Sequence, residues 1–393
     1  MVTLRSATAL DATTTSVQDK PAMRARRSSS ESSSSSGDDL VTYEEEQPKA
    51  PRTTRQKVDR RPASTFYKKP RSQMTLAERI CSLATMPESL HYVVDESLDR
   101  GRVPFHAPWR ENLFIWPRAA APLAIHWLAY KAFPNSQWPA YAAYPFYVLS
   151  YMVFALSTVS RLKKLSVKYG TLDEKNIGRD RTPDHSVGQL AFGVTSYMFL
   201  RTAMDFYLHY DKAVAPLTDV SWTYPIKLMV WQLAFDYFFY CYHRTTHEVD
   251  ALWRIHQKHH TTRHPTVILA ILADDIQESL EIFFIPLLAS LLVPMSFSEM
   301  WLTLQVTIYV EMLGHSGIRA YFGHPTLFWL PFDSELIIED HDLHHRFGKS
   351  GRNYGKQSRV WDRLFKTTGE RIECFGMNGY MPAHDATPVP AHD

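Results

Sequence analysis

Eighteen histidines occur among the 393 residues, and nine of them gather in three motifs and one isolated position between residues 243 and 345. His243 and His247 lie in HRTTH. His256, His259 and His260 lie in HQKHH, and His341, His344 and His345 in HDLHH, with His315 standing between the last two groups. Residues three or four apart share a helix face, so each group is expected to aim its imidazoles at one spot. Neutral imidazole is the commonest metal ligand side chain and suits iron, zinc and copper. Three converging groups supply more nitrogens than one ion can use, which points to a two-metal centre. A single H-x-x-H-H can arise by accident in a histidine-rich chain. Two of them plus an H-x-x-x-H, all beside apolar segments, are far harder to assemble by chance.

The elements that must position these rings are apolar. Six runs, over 119–133, 140–160, 187–207, 226–242, 276–294 and 299–314, are near the length that crosses a bilayer, and several end in Trp or Tyr, as interfacial segments do. The fold class expected is therefore an all-α polytopic membrane protein with a histidine-rich two-metal cap. After the second run, RLKKLSVKYG is strongly basic, which places it in the cytosol. The third run leaves that side and the fourth returns, delivering His243 and His247 to the cytosolic face. The last two runs go out and back, delivering His315 and the third group to the same face. The basic stretch RFGKSGRNYGKQSRVWDRLFK follows on that side as well.

No single straight helix can carry the first two groups to one point. Nine residues separate His247 from His256, about half a turn out of phase at roughly 3.6 residues per turn. The chain must bend within EVDALWR, with the fourth long helix ending near His247 and a shorter one beginning before His256. TTRHPT then breaks the pattern, since the residue before Pro265 favours an extended backbone. His264 sits in this break, readable as a further ligand, a group behind the ligands, or a solvated histidine. Metal-bound imidazoles donate their other N–H to a carboxylate or a carbonyl. Candidate orienters are Asp236, seven residues before His243; Glu311, one turn before His315; and Glu339 and Asp342 around the third group, with Asp340 beside them. Each is equally readable as an ordinary interfacial charge. Asp274, Glu278 and Glu281 head the fifth run, where acids are costly and often functional. His324, in GHP, reads as structural.

Composition removes several classes. The formal net charge of +2 is too small to point to nucleic acid. Three widely spaced cysteines, Cys81, Cys241 and Cys374, form neither a disulfide framework nor a zinc pattern and fit a reducing environment. Residues 1–75 include RRSSSESSSSSGDD and a charged, proline-broken stretch, and are expected to be a disordered tail. A lead-in over 76–112, a membrane domain over 113–375 and a flexible tail over 376–393 complete the expected organisation. The opening MVTLRSATALDATTTS has no apolar core, so insertion through the first spanning helix is expected. HEVDA lacks the second histidine of a zincin, and the soluble di-iron bundle needs two Glu-x-x-His motifs, of which Glu88–His91 is the one match.

HRTTH, HQKHH preceded by ALWRI, EDHDLHH, and NYGKQSRVWDRLF together resemble the membrane-bound fatty acid hydroxylase and sterol desaturase superfamily, over about residues 185–370. That resemblance implies a non-haem centre of two iron ions held by His243, His247, His256, His259, His260, His341, His344 and His345, with His315 carried over as a ninth ligand. It implies dioxygen as co-substrate and electrons from NAD(P)H through cytochrome b5 and its reductase. It also implies a place in the endoplasmic reticulum membrane, with the N-terminus and metal site cytosolic. The substrate implied is a membrane lipid or fatty acyl chain. No catalytic side chain beyond the metal centre is implied. The HPGG of a fused cytochrome b5 domain is absent, so the donor is expected to be separate. RDRTPDHSVGQLAFG and the serine-rich tail look closest to fungal hydroxylases of secondary metabolism, which act on acyl chains of glycolipids and lipopeptides. EDHDLHH and GHSG resemble sterol C-4 methyl oxidases, which keeps a sterol oxidase or desaturase as an alternative. A membrane protein holding structural zinc is the non-enzymatic alternative, although closed four-coordinate zinc sites suit nine histidines poorly.

Overall fold

One helix lies at the centre and the others surround it. In the computed structural model, residues 63–91, 103–133, 137–172 and 178–374 are described; the serine-rich segment and the tail over 376–393 lie outside the described residues. The long helices are α2 (Pro108–Ala132), α3 (Ala140–Tyr169), α4 (Val187–His209), α5 (Tyr224–Glu248) and α9 (Phe297–Gly314). Before them comes α1 (Leu76–Leu83), and between α5 and α9 come α6 (Asp250–His256), α7 (Asp275–Ser279) and α8 (Ile285–Leu292). After α9 come α10 (Ile338–Phe347) and α11 (Val360–Leu364). Among the described residues the one strand pair is two residues long: β1 (Phe105–His106) lies parallel to β2 (Tyr321–Phe322).

Helix α9 touches α2, α3, α4, α5 and α10. Every residue from Phe297 to Leu313 is buried, including Glu299, Gln305 and Glu311, so α9 is enclosed on all sides. Its start is set by a capping box in which Ser296 accepts from the Glu299 N–H and Glu299 accepts from the Ser296 N–H. Trp301 donates to the Ala119 carbonyl at 2.8 Å and Tyr309 to Glu111, tying α9 to α2 in antiparallel register. Tyr147, Phe206, Phe297 and Trp301 interlock edge to face between α3, α4 and α9.

Two differences from expectation stand out. Residues 63–75, assigned by composition to the tail, pack on the helices. Phe66 is buried, and the Asp184 carboxylate accepts from the N–H groups of Thr65 and Phe66 at 2.7 and 3.1 Å. One large aromatic and a distant carboxylate outweigh a polar local composition. The second difference concerns the bilayer. Among the described residues, α3 is the one helix both long and apolar enough to cross a membrane. The runs in α2, α4, α5 and α9 have the length but are diluted by polar groups on their inner faces, including Glu111, Arg201, Asp205, Asp236, Glu299 and Glu311, all buried. The run over 276–294 is helical from Asp275 to Leu292, with a π-helical turn at Leu280–Phe284 between α7 and α8. Outward faces are apolar, with Leu149 and Val153 on α3, Phe192 and Tyr207 on α4, and Leu291 and Leu292 on α8 exposed.

Candidate metal centre

The bend required by sequence is present. Helix α5 ends at Glu248, Val249 is extended (φ −101°, ψ 112°), and α6 begins at Asp250. A 3-10 turn at His259–Thr261 follows α6. His315 caps the C-terminal end of α9, and α10 carries the third group. All nine histidines are buried and fall into two groups: His243, His247, His256, His260 and His344 in one, and His259, His315, His341 and His345 in the other. Within each group the ligand nitrogens lie within 4.8 Å of one another. The groups adjoin, with the rings of His260 and His345 4.8 Å apart and those of His256 and His259 5.3 Å apart.

The histidine motifs do not each serve one spot, contrary to the expectation from spacing. In HQKHH, His256 and His260 join the five-histidine group and His259 the other. In HDLHH, His341 and His345 join the four-histidine group and His344 the other. On α10 helix geometry gives the reason: relative to the first residue, the fourth later lies about +40° around the axis and the third later about −60°. The i, i+4 pair faces one way and the residue between faces another. HRTTH is a pure i, i+4 pair and serves one group.

The rings are oriented by backbone carbonyls. Nδ1 of His243, His247 and His344 contacts the carbonyls of Tyr354, Lys349 and Arg352 at 2.8, 3.1 and 2.8 Å. Nδ1 of His259, His315 and His345 contacts Leu272, Glu311 and Thr262 at 3.2, 2.8 and 3.0 Å. A carbonyl only accepts, so these Nδ1 atoms carry the protons and Nε2 presents its lone pair inward. Burial, helped by the neighbouring rings, pushes the imidazoles below their ordinary range, His247 to about 4 and His315 to about 3.

Inward lone pairs repel unless a cation lies among them. Nε2 of His256 is 2.9 Å from that of His243 and 3.0 Å from that of His260, which is 3.1 Å from His344 Nε2. In the other group His315 Nε2 lies 2.9 Å from His341 Nε2 and 3.4 Å from His259 Nε2. Two nitrogens each about 2.0–2.1 Å from one ion stand roughly 3.0 Å apart at a right angle and roughly 3.4 Å apart at a tetrahedral angle. His247 Nε2 and His345 Nε2 are buried with no hydrogen-bond partner. The donor set and its spacing therefore fit a transition-metal ion in each group.

The carboxylates expected to orient histidines hold backbone N–H groups or other side chains instead. Asp236 accepts from the N–H groups of Lys356, Gln357 and Ser358 at 2.6, 2.8 and 3.1 Å, and from the Ser358 hydroxyl. Glu339 accepts from the N–H groups of Ile372, Glu373 and Cys374. Asp342 pairs with Arg179 at 2.5 Å. Glu311 orients His315 through its carbonyl, while its carboxylate takes Lys356 Nζ at 2.8 Å and the Tyr197 hydroxyl at 3.0 Å. His264 is buried but falls in neither group, and its backbone exchanges hydrogen bonds with Asp180. His324 is buried and its Nδ1 accepts from the Leu327 N–H, a structural role. Sequence reasoning missed Lys356, whose buried ammonium lies between Glu281 (2.9 Å) and Glu311 and over the Phe239 ring. The acids at 281 and 311 were the available signal, since acids in apolar segments need a cation.

A helical scaffold that sets two all-histidine clusters side by side has the donor sets of a protein that holds metal on imidazole. Residues 228–367 match the family model "Fatty acid hydroxylase", and this span holds all nine histidines. The chain is 34% identical over 291 residues, 68% of its length and 79% of the relative's, to the fatty acid hydroxylase vlmA of Lecanicillium sp.. It is also similar to the alkylglycerol monooxygenases of Caenorhabditis elegans (28% over 160 residues) and Danio rerio (29% over 160 residues). Those matches cover 38% of this chain and only 27% and 31% of the relatives. No solved structure matches. The chain belongs to the fatty acid hydroxylase family, as its histidine motifs implied, and is an oxidoreductase of the monooxygenase type.

Proposed function

We propose that this protein hydroxylates a fatty acyl chain at a membrane, using two iron ions held by the nine histidines, dioxygen, and electrons from NAD(P)H delivered by cytochrome b5 and its reductase. The observation that carries this reading is the division of nine buried histidines into adjoining groups of five and four with Nε2 facing inward. Iron, when bound, supplies the reduction of dioxygen and the oxidation of an unactivated C–H bond that no side chain can attack. The balance is one C–H converted to C–OH and one water formed, at the cost of one dioxygen, two electrons and two protons.

The chain's own residues bind and orient. Backbone carbonyls of Lys349, Arg352 and Tyr354 lock three rings of the five-histidine group in one tautomer. Leu272, Glu311 and Thr262 do the same for three rings of the other. The Lys356–Glu281–Glu311 ion pairs neutralise charge beside the four-histidine group. Burial of all nine rings keeps bulk water from the centre. With one ligand fewer, the four-histidine group is the place where a further ligand or substrate has room.

Membrane placement is supported by α3 and by the exposed apolar faces of α4 and α8, which water would not favour. The endoplasmic reticulum, with metal groups and N-terminus on the cytosolic side, is the placement we propose. A lipid or glycolipid secondary metabolite is the product class, in line with the similarity to a fungal relative. The test is metal and product analysis of the full chain purified in detergent: about two irons per chain, hydroxylated acyl product dependent on NADH, cytochrome b5 and its reductase, and neither in His344→Ala. Two zinc ions with no oxygen uptake after anaerobic iron loading would falsify the reading. Oxidised methylsterols with no hydroxyacyl product would move the substrate to sterols.

A further inference from the structure

Two of the carbonyls that orient the five-histidine group belong to surface residues. The Lys349 and Arg352 carbonyls contact His247 and His344, while the side chains of both residues are exposed. The carbonyls that orient the four-histidine group come from Leu272, Glu311 and Thr262, all buried. A wall one residue thick therefore separates the five-histidine group from the surface. Half-buried Trp253 adds a second contact through that wall, with its ring 5.0 Å from that of His247 and 5.4 Å from that of His260.

The face over this wall is basic. Arg254, Lys349, Arg352 and Lys366 are exposed on it and Arg244 is half-exposed. Short contacts join them into one patch. Arg352 Nη2 donates to the Lys366 carbonyl at 2.6 Å. The Tyr240 hydroxyl lies 3.0 Å from Arg244 Nη1 and 3.1 Å from Oγ1 of Thr367, the residue after Lys366. Lys349 pairs with Asp250 at the start of α6, whose last turn carries Arg254. Of the acids on this face, Glu248 is paired with Arg244 and Asp250 with Lys349. Among the described residues Arg254, Arg352 and Lys366 have no carboxylate partner. Even with exposed Glu370 included, cations outnumber acids by five to three. Exposed Val249 and Phe365 add apolar contact area to the same face, as a protein interface requires.

The reaction proposed above takes two electrons from outside the chain, and electron transfer weakens steeply with distance, so a carrier must approach where the wall is thinnest. We propose that this basic face, over the five-histidine group, is the docking site of a one-electron carrier protein with an acidic surface. The assignment rests on the monooxygenase reading, which is what calls for a carrier. Each visit oxidises one carrier by one electron, and two visits supply the two electrons of the balance. Arg244, Lys349 and Arg352 are held in place by bonds to their own neighbours. Fixed cations suit a partner of fixed shape, whereas a fluid layer of anionic headgroups needs none of them fixed.

Oxidised cytochrome b5 is the probe, and its binding to the full, metal-free chain in a neutral detergent is read by titration calorimetry. The wild-type chain is expected to bind it, and about tenfold more weakly when salt rises from about 0.05 to about 0.3 M, as screened charges do. Arg254→Glu combined with Lys366→Glu weakens binding at low salt about tenfold, and Arg254→Glu alone about threefold. Lys164→Glu combined with Lys168→Glu makes the same change in net charge at exposed positions of α3, outside the patch, and leaves binding as it was. Melting midpoints equal to that of the wild type show that the variants are folded. Binding indifferent to salt, equal binding by wild type and the patch variant, or equal loss in the α3 variant overturns the proposal. Phosphatidylserine retained by the wild type and lost from the patch variant, with cytochrome b5 binding unchanged, makes the face a lipid contact and overturns it too. Binding is read without metal or turnover, so its failure is distinct from failure of the hydroxylase reading, which shows as missing hydroxylated product.

Discussion

At the scale of single residues, the two nitrogens of an imidazole are governed by different parts of the chain. Spacing along the sequence put nine rings in play, but the Nδ1 partners are carbonyls, and a carbonyl has no residue-type signature. The acids were visible and were given the orienting role that the backbone fills. Gly317 shows how tightly the surroundings are set. Its φ of +59° lies where only glycine is at ease, and an added Cβ would run into the Arg179 guanidinium. Arg179 donates to the Pro265 carbonyl at 2.7 Å and pairs with Asp342 at 2.5 Å, so it ties the break after the second histidine group to the helix bearing the third. Gly317→Ala is expected to cost about 1–3 kcal/mol in backbone strain, with displacement of Arg179 adding to that. A melting midpoint several degrees below wild type is the outcome to look for. A midpoint within one degree would mean that the guanidinium moves aside without consequence.

At the scale of elements, the helices bearing histidines were legible because periodicity and phase are local properties. Nine residues between His247 and His256 required a bend, and Val249 supplies it. The sharing of HDLHH between two sites was legible in principle from the phase angles of a regular helix. The loop over 349–358 was not, because its conformation depends on a long-range contact, the Asp236 carboxylate receiving three of its N–H groups. All three carbonyls that orient rings of the five-histidine group come from this loop, and none that orients the other group does. Asp236→Asn sets an amide N–H against donors in that anchor, at about 1–3 kcal/mol for a buried donor left unsatisfied. Damage should therefore be selective. Metal bound per chain, measured after dialysis against a mild chelator, is expected to fall from about two to about one. Loss of both ions together, or of neither, would show that the loop does not serve one group alone.

At the scale of the whole molecule, hydropathy reads the long helices unequally. Many outward positions are apolar, but inner faces carry buried acids and bases, so among the described residues average hydropathy singles out α3. The same concentration of buried bases sets the response of the folded chain to acid. Burial holds the histidines of both groups below the ordinary value, His247 at about 4 and His315 at about 3, and neighbouring rings add to the effect. In the unfolded chain the same rings titrate near 6.5, to within about a unit. Above that pH both states are neutral and the fold is not penalised. As pH falls below it, the unfolded chain takes up protons that the fold excludes, so stability is lost from about 6.5 down to about 4. A shift of one unit at one ring is worth about 1.4 kcal/mol, so several rings acting together can remove most of the stability of an ordinary domain. The metal-free chain is thus expected to hold a constant melting midpoint from pH 8 to 7 and to lose it steeply between 6.5 and 4. Substituting His247→Gln removes one proton-binding site from the unfolded chain and should make that decline shallower. A midpoint that stays level through this window would mean that the nine rings are solvated in the metal-free protein, and with that the dry, preformed centre would be lost.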